Sequence, residues 1–289
     1  MLTHLFEHPT APQRVVVIGA GGFVGSEVVR NLRRRGTDVL ALSRSDVDLL
    51  SADAAVLLAG RLKPGDTVVA VAARAPCRNV DMMIENMGIV RAILAGLSRA
   101  RIAHLVNVSS DAVYGDEPVP LTETCPTAPG SLHGAMHLAR EIAFSTAEVP
   151  FATVRPTLIY GAADPHNGYG PNRFLRQAKA GKPIEVFGQG EERRDHVAVQ
   201  DVAEVIARVV LHRSAGVVNI ASGNVHSFHD AATWAIEVTG SKSRIVPLPR
   251  SGPMPHKGYR PFDVSALKAS FPDIVPVQLQ QGMCALGKI

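Results

Sequence analysis

Two histidines lie four residues apart in the segment SLHGAMHLARE, residues 131–141. Residues at positions i and i+4 share one face of a helix, so the spacing predicts that His133 and His137 project side by side. Imidazole, with an unperturbed pKa of about 6.5, can take or give a proton near neutral pH. The pair therefore has three interpretations: zinc ligands, a solvated helix face, or proton-handling groups of an enzyme.

The zinc interpretation has the weakest support. HxxxH is a metal-ligand spacing, but Gly134 stands where the HExxH motif has its glutamate. His226, His229 and His256 occur later in the chain, yet no spacing identifies one of them as a third ligand. We therefore predict no metal site.

The helix that carries the pair is predicted to be amphipathic. Its polar side is expected to face away from the hydrophobic core, so a buried histidine pair is not predicted. The choice that remains is between a solvated face and a catalytic one. The predicted apolar stripe contains Leu132, Ala135, Met136, Ala139 and Ala143, and the opposite side contains His133, His137, Arg140 and Glu141.

The elements around this helix alternate between strands and helices. RVVVIG (14–19) predicts a strand that ends in glycines, and further apolar runs occupy 38–42, 67–72, 104–108 and 151–155. The stretches between them have helical periodicity, as in 83–97, which predicts an α/β fold with a doubly wound, parallel, Rossmann-type sheet. We place the dinucleotide-binding domain at 1–160, and at 161–289 a smaller substrate-binding lobe interleaved with the last sheet elements.

Composition restricts the class of protein. The chain has 289 residues, 46% of them hydrophobic, and a net charge of +4 with few aromatic residues (5%). Basic and acidic residues are interspersed, so a nucleic-acid partner is not expected, and a basic pocket for an anionic small molecule fits better. No run of 18 apolar residues and no secretory signal pattern is seen, and three cysteines without a disulfide pattern favour the cytoplasm.

A glycine-rich turn follows the first predicted strand. GAGGFVG (19–25) has Val24 where the GxGxxG fingerprint needs glycine, and it satisfies GxxGxxG with Gly19, Gly22 and Gly25. Glycines permit a tight turn and a close approach of backbone N–H groups, and the following helix contributes its dipole. The turn therefore predicts binding of a dinucleotide pyrophosphate.

The end of the second predicted strand bears on the choice of cofactor. ALSRSD has Ser43 and Arg44 at a place where an NAD-binding protein usually carries an acidic residue. A carboxylate would repel a 2′-phosphate, whereas Ser43 and Arg44 can bind one through charge-assisted hydrogen bonds. We predict NADP in preference to NAD, with Asp48 and Leu49 contacting the adenine.

Several segments in order resemble the extended short-chain dehydrogenase/reductase family, which includes nucleotide-sugar epimerases, dehydratases and 4-ketoreductases. The resemblance extends over nearly the whole chain, and the last two of its segments are the most specific. The segments are GAGGFVG, Asn86 in ENMGIVRAIL, VSSDAVYG (108–115), PLTETCP (120–126), VRPTLIYG (154–161) and GKPIEVFGQGEERRDHVAVQDVAE (181–204).

The resemblance implies a catalytic group. Ser110 matches the serine or threonine that polarises the substrate oxygen, and Asp111 matches an acid of the dehydratase branch. That branch usually continues with glutamate, and Ala112 here disfavours dehydration. The family's YxxxK pair aligns with SLHGAMH, so His133 takes the tyrosine position and His137 the lysine position.

The resemblance also implies binding residues and an assembly. It suggests that Asn172 and Arg194 hold the diphosphate of a nucleotide sugar, although His196 replaces the usual aromatic residue. A homodimer through the helices at 80–100 and 131–147 is expected. The residues implied to surround the cofactor, besides the glycines and Ser43, Arg44, Asp48 and Leu49, are Phe23, Val24, Ala72, Ala73, Asn86, His137 and Pro156.

The leading hypothesis is an NAD(P)-dependent epimerase or ketoreductase that transfers hydride to or from a nucleotide-activated sugar or a similar polyhydroxylated substrate. Ser110 would bind the reacting oxygen and His133 would move the proton, with a rate that responds to pH near the imidazole pKa. Epimerisation and ketoreduction are equally compatible with these residues. The alternative is a dinucleotide-binding protein with impaired catalysis and a sensing or partner-binding role.

Overall fold

The computed structural model of the chain describes residues 1–288. The predicted apolar runs form buried strands, because their side chains are covered on both faces of a sheet. The strands are Leu2–Thr3 (β1), Val15–Ile18 (β2), Val39–Leu42 (β3), Thr67–Ala70 (β4), His104–Val108 (β5), Phe151–Pro156 (β6), Leu158–Tyr160 (β7), Ile184–Phe187 (β8), Arg193–Ala198 (β9), Ala215–Ile220 (β10), Val225–Ser227 (β11), Ile245–Leu248 (β12) and Tyr259–Arg260 (β13).

The helices connect these strands and end in glycine or polar residues in several places. The helix predicted from the periodicity of 83–97 begins at Val80, where the Asn79 side chain accepts a hydrogen bond from the Met82 amide. The helices are Phe23–Arg34 (α1), Ala54–Arg61 (α2), Val80–Leu97 (α3), Leu132–Phe144 (α4), Pro171–Lys179 (α5), Val199–Leu211 (α6), Phe228–Thr239 (α7), Ser265–Ser270 (α8) and Leu279–Gly287 (α9).

The central sheet has the order β1-β10-β6-β5-β4-β2-β3. Neighbouring strands are parallel except at the edge, where β1 pairs antiparallel with β10. From β2 the chain moves outward to β3 and then returns past β2 to β4, so the strand order reverses beside β2. The doubly wound parallel sheet is therefore confirmed, and ligands of such sheets bind at this reversal.

Helices cover both faces of the sheet. Residues of α1 and α6, such as Val28 and Ile206, belong to the buried cluster on one face. Residues of α2, α3 and α4, such as Leu58, Ile93 and Phe144, belong to the cluster on the other. The strand ends between these layers are left to form a cleft.

Much of the chain after residue 160 forms a smaller unit. It contains a four-stranded sheet of β7, β9, β11 and β13, a pair β8–β12, and a core around Phe174, Phe228 and Met283. The chain returns to the central sheet through α6 and β10, in keeping with the predicted interleaving, and the boundary at 160 stays a prediction. Within residues 1–288, no helix is both long and apolar enough to span a membrane.

Candidate active site

A cleft of about 1390 Å³ opens at the carboxyl ends of the central strands. Its walls include Ile18 at the end of β2, Leu42 at the end of β3 and Val108 at the end of β5. The cleft therefore lies where the strand order reverses. Most of the predicted site residues line it: Gly19, Gly22, Phe23, Val24, Ser43, Arg44, Asp48, Leu49, Ala72, Ala73, Ser110, Asp111, His133, His137, Pro156 and Arg194.

The glycine turn packs too closely for side chains. A Cβ on Gly19 would lie 2.6 Å from the Ala72 amide nitrogen, and one on Gly25 would overlap the Gly19 carbonyl. Gly22 is the N-cap of α1, with no side-chain cap and no acidic residue in the first turn. The N–H groups at this helix start are therefore available to an anion, and the turn fits a dinucleotide pyrophosphate. Gly25 acts through packing and does not line the cleft.

The end of β3 carries a carboxylate that the sequence analysis overlooked. Asp46 Oδ2 accepts hydrogen bonds from the Ser43 hydroxyl at 2.6 Å and from the Ser43 amide at 2.8 Å. These bonds lower the pKa of Asp46. Arg44 is exposed and contacts Asp48 at 3.4 Å. The S-x-x-D spacing of Ser43 and Asp46 is the sequence signal for this contact, since Ser and Asp side chains often form hydrogen bonds with backbone groups a few residues away.

Asn86 holds the loop that follows β4, part of which lines the cleft. Its side chain accepts from the Arg74 amide at 2.9 Å and donates to the carbonyls of Arg74 and Met82 at 3.0 and 2.8 Å. It is fully buried and fixes the loop after β4 onto α3. Asn86 thus positions the loop that contains Ala73, and it does not line the cleft itself.

The start of α4 brings the histidines to the cleft. The Ser131 hydroxyl accepts from the Gly134 amide at 3.1 Å, which caps the helix. A Cβ on Gly134 would overlap the carbonyl of Ala112. Because only glycine permits this contact, α4 packs directly on the short 3₁₀ turn Asp111–Val113. His133 is thereby placed on the same cleft wall as Ser110.

His133 has a defined hydrogen-bonding state. The Cys77 amide donates to its Nδ1 at 3.4 Å, so Nδ1 is an acceptor and the neutral ring carries its hydrogen on Nε2. Burial lowers the pKa of His133, partly offset by the Asp111 carboxylate. The positive end of the α4 dipole acts in the same direction as burial. His133 is therefore a neutral Nε2–H donor at neutral pH.

His137 is also neutral. It is 6% exposed, and its ring lies perpendicular to that of His133 with centroids 4.7 Å apart. Burial, His133 and Arg140 lower its pKa well below the usual value. Its Nδ1 has no hydrogen-bond partner among residues 1–288. Position 137 thus lacks the positive charge that a lysine would supply.

The expectation that the polar side of α4 faces away from the core is wrong. Arg140 is fully buried, Glu141 is 8% exposed, and the exposed residues include Leu132 and Ile142. Glu141 forms an ion pair with Arg155 of β6 at 2.6 Å and accepts from the Ser109 hydroxyl at 2.5 Å. Polar partners at the strand ends satisfy this face, which a hydrophobicity pattern cannot register.

Ser110 and Asp111 lie at the start of the 3₁₀ turn against which α4 packs. The Ser110 hydroxyl accepts from the Ala112 amide at 3.1 Å and donates to Asp111 Oδ1 at 3.3 Å. Asp111 Oδ2 accepts from Nε of buried Arg260 at 3.2 Å, and Arg194 lies 4.0 Å away. Arg260 also donates to the carbonyls of Asp111 and Tyr114, so it holds the 3₁₀ turn. A separation of 149 residues left no sequence signal for this pairing.

The remaining end of the cleft, which we call the basic end after Arg194, also has Asp116 and Asp164 in its lining. Arg194 lines it together with His166 and His256, neither of which was predicted. His256 Nδ1 lies 2.5 Å from Asp116 Oδ1 and 2.9 Å from Arg260 Nη1. Asn172 does not line the cleft: its amide oxygen accepts from Gly161 N at 3.1 Å and its nitrogen donates to Asp164 at 2.9 Å. It shapes the loop between β7 and α5.

Comparison with known proteins identifies the family. The sequence profile of the NAD dependent epimerase/dehydratase family matches residues 15–221. The chain belongs to this family. The chain is 28% identical to a dTDP-4-dehydro-6-deoxy-D-allose reductase of Streptomyces bikiniensis, over 81% of this chain and 84% of the relative. It is 30% identical to a UDP-glucose 4-epimerase of Mycolicibacterium smegmatis, over 68% and 72%.

Solved structures of family members have the same fold. A UDP-glucose 4-epimerase of Thermus thermophilus, crystallised with NAD, superposes with a TM-score of 0.76 at 23% identity, covering 95% of this chain and 98% of that one. The predicted family resemblance is confirmed, and so is the Rossmann-type architecture. Relatives of the NAD-dependent epimerase/dehydratase family named above are epimerases and reductases.

Helix α4 carries two neutral imidazoles, His133 and His137, where the resemblance implies a YxxxK pair, and the buried Arg140 follows them on the same helix. Across residues 1–288 no cluster of three histidine, cysteine or acidic side chains could hold a metal ion. Ser110 and His133 are both polar residues of the cleft lining.

Proposed function

We propose that the protein reduces a keto group on a nucleotide-activated sugar, with NADPH as the hydride source. The observation that carries this proposal is the hydrogen bond from the Cys77 amide to His133 Nδ1. It leaves Nε2–H as the free group of the ring, in the cleft that Ser110 also lines. A carbonyl oxygen accepts two hydrogen bonds: Nε2–H can donate one, and the Ser110 hydroxyl can donate the other by turning away from its long 3.3 Å bond to Asp111.

A neutral imidazole suits this role. The uncharged ring of His133 lies in the first turn of α4, and it can polarise a carbonyl by donating a hydrogen bond to its oxygen. A bound reduced nicotinamide supplies the hydride that adds to the carbonyl carbon. The carbonyl π electrons move to the oxygen, Ser110 and His133 stabilise the developing charge, and the proton passes from Nε2 to that oxygen, which leaves the ring as an imidazolate. Solvent at the half-buried ring then returns a proton to Nε2.

Epimerisation has less support from the same contact. Removal of a hydride from a carbinol requires a base that accepts the hydroxyl proton. Nε2 would have to be unprotonated, which would place a hydrogen on Nδ1 against the Cys77 N–H. The hydrogen-bonding state of His133 thus favours reduction over epimerisation.

We propose NADP over NAD on the strength of Arg44. Its exposed guanidinium has a single contact of 3.4 Å to Asp48 and can turn to a 2′-phosphate. Asp46 opposes this choice, because it occupies the hydroxyl and amide of Ser43. The expected preference is therefore modest, and it depends on Arg44 more than on Ser43.

The basic end of the cleft supports a diphosphate-bearing substrate. Arg194 is 13% exposed in its side chain and is held by Glu192 at 3.2 Å, so its position is defined. Guanidinium groups bind phosphate oxygens through two parallel hydrogen bonds. Asn172, whose side chain is bonded to Gly161 and Asp164, would position the loop between β7 and α5.

A second candidate function is binding of a dinucleotide without turnover. The state of His137 favours this function: its buried Nδ1 lacks a partner in the described part of the chain, and its neutral ring does not supply the charge that a catalytic lysine would supply there. A sensing or partner-binding role would need only the glycine turn and the cleft. His133 would then be dispensable for every property of the protein.

One experiment separates these functions. The purified protein is incubated with NADPH or NADH and a panel of nucleotide-linked 4-keto-sugars, while nicotinamide absorbance and products are both measured. We expect consumption of NADPH, and a loss of about 10²- to 10⁴-fold in kcat/KM for His133→Ala. His8→Ala, which alters an exposed histidine, is the matched control.

The pH profile of the same assay tests the protonation state. The neutral ring is the competent form, because a proton added to Nδ1 would face the Cys77 N–H and displace the ring. We therefore expect kcat/KM to be level at neutral pH and to fall as pH drops through the lowered pKa of His133. A rate that rises in acid would contradict the proposal. Product without net loss of NADPH would indicate an epimerase, and His133→Ala with unchanged properties would indicate the binding protein.

We also propose a homodimer formed through α3 and α4. Val80, Ile84 and Ile142 on these helices are 63%, 64% and 62% exposed, which is unusual for apolar residues of this size. α3 and α4 pack side by side, so these exposed residues belong to adjoining helices. Light scattering should give about twice the chain mass of 30.7 kDa; a monomer would refute the dimer.

A cytoplasmic location is proposed from the cysteines. Cys77, Cys125 and Cys284 are free thiols, as is usual in a reducing compartment. Detection of the chain in a secreted fraction would contradict this location.

A further inference from the structure

Arg140 is a fully buried cation beneath the cleft. Its Nη1 donates to the Ala72 carbonyl at 2.6 Å and its Nη2 to the Ala70 carbonyl at 3.1 Å. Nε and Nη2 also donate to Asn107 Oδ1 at 3.3 and 3.2 Å. Burial lowers its pKa to about 10, which still leaves the guanidinium charged at neutral pH.

The charge of Arg140 is not neutralised by a carboxylate. Among residues 1–288 no acidic oxygen lies within 4.0 Å of it, whereas the buried arginines 155 and 260 are paired with Glu141 and Asp111. All four of its hydrogen bonds go to neutral acceptors. The Phe144 ring lies 5.2 Å from its Cζ, so the charge faces an aromatic ring and neutral acceptors but no counter-ion, which makes its burial costly.

The position of Arg140 connects it to the cofactor end of the cleft. Ala72, which accepts its shortest hydrogen bond, lines the cleft and packs against Gly19 of the glycine turn. His137 lies one turn earlier on the same helix and also lines the cleft. The field of Arg140 reaches this wall, because its charge contributes to the lowered pKa of His137.

We infer that Arg140 is the resident cation of this site, supplying from beneath the cleft the positive charge that position 137 lacks and favouring the reduced dinucleotide over the oxidised one. The oxidised nicotinamide ring carries a positive charge and the reduced ring does not, so a nearby fixed cation destabilises only the oxidised form. Arg140 is a positioning residue in this respect, since it touches the backbone of the cleft wall. The inference rests on the dinucleotide binding of the proposed function and not on His133 or on the sugar.

The test measures affinity without turnover. The dissociation constants of NADPH and NADP⁺ are determined by fluorescence and calorimetry for the wild type, Arg140→Gln, Arg140→Lys and the double variant His137→Lys/Arg140→Gln. We expect the wild type to prefer NADPH, and Arg140→Gln to reduce that preference by about tenfold. Arg140→Lys, which keeps the charge, should stay within about threefold of the wild type.

The double variant moves the cation from residue 140 to residue 137 and should restore the preference for NADPH. Arg91→Gln, which removes an exposed arginine of α3, is the matched control and should change nothing. Equal preferences in Arg140→Gln, Arg140→Lys and the wild type would overturn the inference and leave only a structural cross-link.

A further variant protects the test against misfolding of Arg140→Gln. His137→Lys alone places two cations beside each other and should increase the preference for NADPH while lowering the melting temperature. An unchanged preference in this folded variant would also overturn the inference. Failure of the proposed function can be told apart from failure of this inference. A protein without reductase activity that prefers NADPH to NADP⁺, and loses that preference in Arg140→Gln, would refute the first and support the second.

Discussion

The two ends of the cleft differ in how exposed their charged side chains are. The end at β3, where we propose that the adenosine binds and which we call the adenosine end, consists of glycine backbone and of exposed charges such as Arg44 and Asp48, whose side chains are 74% and 44% exposed. The end at α4, where we propose that catalysis occurs and which we call the catalytic end, is backed by buried charges such as Arg155 and Glu141, at 6% and 9%. Charges at the first end interact through water, and charges at the second end interact through protein.

This difference determines what each end tolerates. Exposed ion pairs contribute about 0–1 kcal/mol, so residues at the adenosine end can change with little effect on folding. Removal of one partner of a buried pair costs about 3–5 kcal/mol because the other charge is left unpaired. The catalytic end is therefore a rigid frame on which His133 and His137 could replace another pair of side chains without loss of the fold.

The largest expected effect on stability follows from the buried pair. Arg155 donates to Glu141 at 2.6 and 2.9 Å and to the Tyr114 hydroxyl at 2.8 Å. Arg155→Met should lower the free energy of unfolding in urea by about 3–5 kcal/mol. Arg44→Met, the control at the other end, should change it by less than about 0.5 kcal/mol. Equal effects of the two substitutions would refute the contrast between the ends.

An intermediate effect is expected from His196, a buried residue behind the substrate end. Both of its ring nitrogens lack partners within residues 1–288, and burial lowers its pKa to about 3. The unfolded chain takes up this proton near pH 6.5, so stability is lost as pH falls from about 6.5 toward 3. At pH 5 the loss relative to pH 7 is about 2 kcal/mol.

His196→Phe removes this proton uptake and keeps an aromatic ring beside Phe228, which lies 5.7 Å away. The advantage of the variant over the wild type should grow by about 2 kcal/mol between pH 7 and pH 5, as measured by urea unfolding. Asp195, whose pKa burial raises to about 6, has the opposite pH dependence and is common to both proteins. A pH-independent difference would show that the ring is not held neutral.

The smallest expected effect is on cofactor choice at the adenosine end. Arg44→Ala should weaken NADPH binding about tenfold, because one charge-assisted contact to the 2′-phosphate is lost, and should leave NADH binding unchanged. Titrations with both cofactors measure this, and the melting temperature should not move. Equal weakening of the two cofactors would mean that Arg44 does not select NADP.

The parts of the fold that the sequence predicted correctly are those where neighbouring residues act together. RVVVIG followed by glycines predicts β2, the turn and α1, and the apolar runs predict the bounds of β3 to β6 to within two residues. Gly19, Gly22, Ser110 and His133 line one cleft, and their roles stay predictions. Each of these rests on local backbone geometry or on an ordered set of motifs.

The parts that were not predicted depend on residues far apart in the chain. Arg260 reaches Asp111 across 149 positions, and the amide of Cys77 reaches His133 across 56. The polar side of α4 was expected outside the core because its partners on β4, β5 and β6 could not be inferred from its own periodicity. Asp46 is the exception, since its bond to Ser43 spans only three residues.

The sequence by itself determined the parallel sheet, the glycine turn and the presence of two imidazoles in place of YxxxK, because these follow from local spacing and from the order of motifs. Only the tertiary structure decided that both imidazoles are neutral, that Nε2 of His133 is the donor and that Arg140 is an uncompensated buried charge. Protonation and charge pairing depend on burial and on distant partners. Those quantities exist only once the chain is folded.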